Sequence, residues 1–326
     1  MRIAIILVSV FSLAILFSSC KEERRDKRVL KLGHSLDVNH PVHKGMVHMT
    51  EILAKKSDGK LTIKIYPGGQ LGNERQLLEL LQIGGLDMTK VSASIIENFA
   101  PKYKVLGLPY IFRDKTHSHR VLDGDIGEEL LLDGAKYWLR GLCFYDAGAR
   151  SFYTIDKPIL NPEDLEGLKI RVMRSNTPVQ MVDAMGGSPT PISYGELYTS
   201  LQQRVVDGAE NNPPSFYTSH HYEVCKHYAL DEHTAVPDVL LISTHTWDKL
   251  SKQEQQWVSE AAKESVAQQR IIWNEFEKMA LEEVQKAGVT IYYPDKSTFF
   301  DKVQDIHDEF RQDEMLNDLI ERIIKL

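Results

Sequence analysis

GGSPTPISYGELYTSLQQRVVDGAENNP, residues 186–213, ends by gathering an acid and two amides, Glu210, Asn211 and Asn212, just ahead of Pro213 and Pro214. Each proline fixes its own φ and restricts the residue before it, so Asn212 is expected in extended geometry. Polar groups on so stiff a segment can meet a ligand without first losing much conformational entropy. A plain surface turn is the other reading, because Asn and Pro are both common turn residues. What surrounds the stretch has to decide between the two.

Strand and helix patterns alternate on the N-terminal side of it. VLKLGHS, from Val29, reads as a short strand that stops at Gly33. After Pro41, residues Val42, Met46, Met49 and Leu53 share one helix face. In LTIKIYP, Leu61, Ile63 and Ile65 alternate with Thr62 and Lys64, the period of a half-buried strand. A glycine-bounded loop then leads to a short helix with Asn73 as its N-cap. This order continues to about residue 245 and predicts α/β lobes with mainly parallel sheet. From 251 to 287 there is neither glycine nor proline, and Val258, Ala262, Val266, Trp273, Phe276, Ala280 and Val284 trace a helical stripe. At 1.5 Å per residue that helix reaches about 50 Å, longer than one lobe is wide, so it is expected to lie across two. Gly288 should end it. A chain of 326 residues is long for one core and suits two lobes.

The N-terminus sets the expected compartment. Arg2 precedes an apolar run at 3–17, and Ser18 and Ser19 lead into Cys20. This resembles a bacterial lipoprotein signal, residues 1–19, cleaved ahead of a lipidated Cys20, although Phe17 stands where leucine is commoner. A permanent anchor helix is the alternative. Either reading puts the body outside the cytoplasm, tethered to a membrane, with 20–28 as a charged spacer. Which membrane holds the lipid is left open. The net charge of −7 and the lack of basic clusters in the body argue against nucleic acid. Apart from Cys20 only Cys143 and Cys225 are present, so the chain is no disulfide scaffold, and their pairing is left open.

Several enzyme signatures are missing: GxSxG, GxxxxGK[ST], HExxH and CxxC. The rival chemical signal is His40, His43 and His48 with Met46 and Met49 interleaved, a set suited to zinc or copper in a metal-binding lipoprotein. The helix's apolar face already claims both methionines, and no acid among them orients the imidazoles. His220 and His221 read as packing or rim residues. In EDLEGLKIRVMRS, Leu168, Ile170 and Val172 face one way, and Lys169 and Arg171 the other. Arg171 is thus a guanidinium on a rigid strand, able to grip a carboxylate bidentately or to form an ordinary ion pair. Arg150, in DAGARSFYT, is a second cation among small residues. Glu74 suits the first turn of a helix by the macrodipole alone.

Together these stretches resemble the substrate-binding proteins of TRAP (tripartite ATP-independent periplasmic) transporters. The matching segments are IYPGGQLGNERQ at 65–76, LGLPYIF at 106–112, LEGLKIRV at 165–172 and the block at 186–213. The resemblance implies an α/β, two-lobed periplasmic-binding-protein fold (type II-like) with interlobe hinge strands and the lobe-spanning helix. Lobe I would take 29–147 plus about 237–275, and lobe II 148–236 plus about 276–326. It implies a non-catalytic protein without a cofactor, a monomer by default, that captures a small organic acid for a separate membrane permease. Arg171 would hold the ligand carboxylate, with Arg150 as the second arginine and Asn211 bonding an oxygen beside it. ENN followed by PS, then HYEV and LDEH, is similar to members that take hexuronates such as glucuronate or galacturonate. Asn212, Glu74, Asn39, His40 and Ser92 would then ring the sugar, and Tyr194 would stack on it. Another hydroxy- or keto-acid is the alternative ligand. On this resemblance the stiffened ENNPP segment is one wall of a carboxylate pocket.

Overall fold

The computed structural model describes residues 27–326. The expected signal at 1–19, Cys20 and most of the charged spacer lie outside the described residues; Arg28, expected to close that spacer, already opens the first strand. Among the described residues no helix is long and apolar enough to cross a membrane.

Eleven strands of the described residues form two sheets. The first holds β1 (Arg28–Gly33), β2 (Leu61–Tyr66), β3 (Met88–Ser92), β4 (Leu139–Tyr145) and β10 (Asp238–Ser243), in the order β2-β1-β3-β10-β4. The second holds β5 (Arg150–Thr154), β6 (Lys169–Val172), β7 (Ser188–Pro191), β8 (Gly208–Asn211), β9 (His227–Thr234) and β11 (Thr290–Tyr292), in the order β11-β9-β5-β8-β6-β7. Both sheets are mixed, which corrects the expectation of mainly parallel pairing. β10 runs antiparallel to β3 and β4, and β5 runs antiparallel to β8 and β9. The cause is connectivity: β4 leads directly into β5 and β9 directly into β10, so strands themselves carry the chain between the sheets. At the first crossing Gly148 has φ +58°, and a Cβ there would stand 2.9 Å from the Trp273 ring and from Glu277. No other residue fits that turn without displacing both.

Helix Lys252–Lys286 makes the third connection. Its 35 residues span about 52 Å. A capping box of Ser251 and Glu254 opens it, and Gly288, at φ +87°, follows its end. Along its length it packs on helix Pro41–Lys56 and β4, then on helix Pro213–Thr218 of the second sheet's side. Two polar members of its buried stripe escaped the hydrophobic pattern. Ser265 bonds the Tyr145 hydroxyl at 2.8 Å, and Gln269 clasps the Asp146 backbone N–H and C=O at 2.9 and 2.8 Å. The helix thereby grips the first crossing. The last helix, Glu314–Lys325, packs against Pro101–Gly107 and Asp125–Asp133, elements of the first span, although it falls in the stretch expected for lobe II. Cys143 and Cys225 are free and buried, in separate hydrophobic clusters.

Candidate functional site

A cavity of about 340 Å³ lies between the two sheets. Seven of the nine residues expected there line it: Arg171, Arg150, Asn211, Asn212 and Tyr194 from the second sheet's side, Glu74 and Ser92 from the first.

Glu210 and Asn211 end β8, and Asn212 is extended at φ −83°, ψ 159°. The two prolines do not stiffen a loop; they occupy the first turn of helix Pro213–Thr218, where a missing N–H costs nothing. Asn212 caps that helix, its Oδ1 accepting from Ser215 N at 2.8 Å. Asn211 Oδ1 accepts from Arg150 Nη1 at 2.8 Å and from Asn212 N at 2.9 Å. With its oxygen so engaged, the Asn211 side chain has its amide NH2, a donor, left for a ligand.

Arg150 and Arg171 are both buried, but their surroundings differ. Arg150 donates through Nε to Glu210 Oε2, and through Nη2 to Glu210 Oε1 at 2.9 Å and the Glu210 carbonyl at 2.7 Å. Burial works against its charge, yet the Glu210 carboxylate holds its pKa above the usual arginine value. Burial would raise Glu210, but Arg150 and His233 hold it down at about 2. His233 lies 2.6 Å from Asp231 and 3.5 Å from Glu210. Burial opposes its charge, yet these acids lift its pKa to about 9. Arg171 instead donates from Nε to the Ile192 carbonyl at 2.8 Å, and its buried Nη1 has no partner among the described residues. Burial lowers its pKa, and the Glu210 charge compensates only in part.

The first sheet contributes an ion cluster that periodicity did not disclose. Lys90, on β3, is 2 % exposed. Its Nζ bonds Asp238 Oδ1 at 2.9 Å and Glu74 Oε1 at 3.3 Å, and all three residues line the cavity. Glu74 is the first residue of helix Glu74–Gln82 behind the expected Asn73 cap, so the helix start aims it inward. Ser92 precedes a short helix without using its side chain as a cap, which leaves the hydroxyl for the cavity. The sequence signal for Lys90 and Asp238 was a lone charge in each of two short strands.

Two expected residues do not line the cavity. Asn39 is exposed on the loop before helix Pro41–Lys56. His40 is buried behind the wall: its Nδ1 caps that helix by accepting from Val42 N, and its Nε2 meets Ser215 Oγ at 3.2 Å. Burial and nearby Lys90 push its pKa well down, so it is a neutral spacer between the two sides. His43 contacts His34 at 2.9 Å and His48 pairs with Glu51, while Met46 and Met49 sit fully buried in the core. Among the described residues no group of three or more His, Cys, Asp or Glu is arranged to hold a metal ion.

Comparison with known proteins bears on the whole chain. Residues 32–313 match the family described as bacterial extracellular solute-binding protein, family 7. A solute-binding protein of Chromohalobacter salexigens is 38% identical over 276 residues, covering 84% of this chain and 82% of that protein. A TRAP periplasmic solute-binding protein of Xanthobacter autotrophicus, solved with bound β-D-galacturonate, superposes with a TM-score of 0.88 at 42% identity, covering 90% of this chain and 98% of that one. Another, of Anaerococcus prevotii with bound D-glucuronate, gives a TM-score of 0.89 at 35% identity over 92% of this chain and 98% of that one. The chain belongs to family 7 of the bacterial extracellular solute-binding proteins, the binding components of TRAP transporters.

Proposed function

We propose that the protein captures a hexuronate, D-galacturonate or D-glucuronate in kind, and delivers it to a TRAP membrane permease. The observation that carries this reading is the buried Arg171, a side chain that lines the cavity and whose Nη1 has no partner among the described residues. A carboxylate is the group whose two oxygens match a guanidinium fork. The Asn211 amide supplies a further donor beside it. Toward the first sheet the cavity turns acceptor-rich at Glu74 and Asp238, which suits the hydroxyls of a sugar ring. Tyr194 and the Ser92 hydroxyl add an aromatic face and one more polar group. A neutral sugar would leave Arg171 desolvated without an anion. The galacturonate- and glucuronate-bound relatives support the same class of ligand.

In this reading lobe I is 29–147 with about 237–275, and lobe II is 148–236 with the chain from about 276, its last helix resting on lobe I. Ligand shifts the open–closed equilibrium by its differential affinity for the closed form. Lipidation at Cys20 tethers the body to the membrane; replacing Cys20 by Ser should release it into the soluble fraction. A thermal-shift panel of uronates, their parent sugars, other small acids and divalent metals tests the ligand, since any native-state ligand raises the melting temperature by mass action. A rise with a uronate and none with galactose or glucose is expected. A response to zinc or copper alone would overturn the reading.

A further inference from the structure

The wall that faces Arg171 carries more charge than a sugar ring needs. Lys90, Glu74 and Asp238 form one buried cluster in which a single ammonium serves two carboxylates, at 3.3 and 2.9 Å. The side chains of Glu74 and Asp238 are only 15% and 9% exposed, so water screens them little. Summed over the three, this wall is one unit negative; Arg75, which also lines the cavity on this side, is exposed and pairs with Glu79 at 3.1 Å. On the second sheet's side Arg150 and Glu210 cancel, as do the exposed Arg174 and Glu196, which leaves Arg171 one unit positive. The cavity is therefore polarised from one lobe to the other. Helix geometry fixes Glu74 at its first position, while β10 fixes Asp238 opposite Ser92 of β3. Neither carboxylate can swing out of the way without breaking its bond to Lys90.

Resting on the hexuronate reading, we propose that this cluster is a charge filter that selects monocarboxylates and rejects diacids. A hexuronate presents one carboxylate to Arg171 and only hydroxyl and ring oxygens to the far wall, where hydroxyl protons are received by Glu74 and Asp238. The aldarate with the same carbon skeleton carries a second carboxylate at the former aldehyde carbon. With one end on Arg171, that group meets two fixed carboxylates for one ammonium. Like charges brought together at such a site cost several kcal/mol. Lys90 acts as a positioning residue: its bonds keep both carboxylates aimed, and its remaining proton is open to a ligand oxygen. Specificity here comes from repulsion as much as from attraction.

The test is titration calorimetry with galacturonate and galactarate on the wild-type protein, Glu74→Gln and Asp238→Asn. The quantity read is the ratio of the two dissociation constants within each protein, which cancels changes common to both ligands. The wild-type protein is expected to prefer the uronate by at least about 30-fold, the lower end of several kcal/mol. Each amide substitution removes one negative charge and should shrink that ratio at least about fivefold. Uronate binding with a wild-type ratio near one would overturn the filter and leave the hexuronate reading standing. So would a ratio unchanged in whichever variant folds. If the wild-type protein binds neither acid, both the filter and the reading it rests on fall. If it binds galactarate alone, the filter falls and the reading changes to a diacid.

Discussion

Arg150 and Arg171 stand on the same sheet, line the same cavity and are almost equally buried, at 7% and 2% exposure. Burial disfavours the charge of both. For Arg150 the Glu210 carboxylate outweighs that penalty, and for Arg171 it does not. The positive charge of Arg150 is used up inside the protein, in a chain that runs from Asn211 through Glu210 to His233 and Asp231. That of Arg171 is held in reserve. The sequence resemblance assigned the ligand carboxylate to Arg171, with Arg150 as a second arginine; the geometry makes Arg150 a strut, and the proposed function makes Arg171 the receptor. A neutral sugar would therefore strand Arg171 alone, since Glu210 already compensates Arg150.

Removing each arginine in turn separates the strut from the receptor. Arg150→Met should cost roughly 3–5 kcal/mol of folding stability, because it leaves the buried Glu210 without its main partner. Denaturant unfolding of the ligand-free protein measures this. Arg171→Met should leave ligand-free stability within about 1 kcal/mol or raise it, since a poorly compensated buried charge is replaced by an apolar side chain. Its effect falls on binding, a loss of roughly 2–5 kcal/mol in uronate affinity by calorimetry. If the two variants exchange these signatures, the assignment of strut and receptor is reversed.

Titration draws the same contrast. Glu210 is depressed from 4.5 to about 2 on folding, so its contribution is present above pH 4.5 and fades as pH falls towards 2. His233 is raised from 6.5 to about 9, so its contribution is complete below pH 6.5 and fades as pH rises through 9. The joint contribution of this pair is therefore complete from about pH 4.5 to 6.5. The buried neutral His34, His40 and His221, whose pKa values burial pushes down, weaken the fold as pH falls below 6.5, so stability of the ligand-free protein should be greatest near pH 6.5. Arg150→Met should flatten the acid limb, and Arg171→Met should leave it in place, as chemical unfolding across pH would record. The smallest effect belongs to Asn39. Exposed and away from the cavity, Asn39→Ala should change stability and affinity by no more than about 0.5 kcal/mol.

Much of the architecture was legible because local patterns carry it. Leu61 and Ile63 alternate as a strand requires, Asn73 caps the helix it precedes, and Gly288 follows the long helix, all as the sequence suggested. Strand direction was not legible. Periodicity is the same for parallel and antiparallel strands, and only the direct β4–β5 and β9–β10 links reverse β5 and β10. The cavity residues that were found sit in segments with strong local character, such as the Glu210–Asn212 run and the KIRV strand. Lys90 was missed because its partner Asp238 is 148 residues away, and a lone lysine in a short strand names no partner. His40 was misplaced for the same reason: its imidazole is claimed by Ser215, 175 residues on, and by the helix it caps. Long-range pairing of polar and charged groups decides the details of the site, and no window of sequence contains it.

In the proposed function, recognition rests on Arg171 reading a ligand carboxylate. Calorimetry isolates that contact as the affinity gap between galacturonate and galactose, on the wild-type protein and on Arg171→Met. A wide gap is expected in the wild-type protein, at least about 30-fold, collapsing to within about threefold in the variant. A wild-type protein that binds galactose as tightly as galacturonate, or a variant that keeps the full gap, would contradict the assignment.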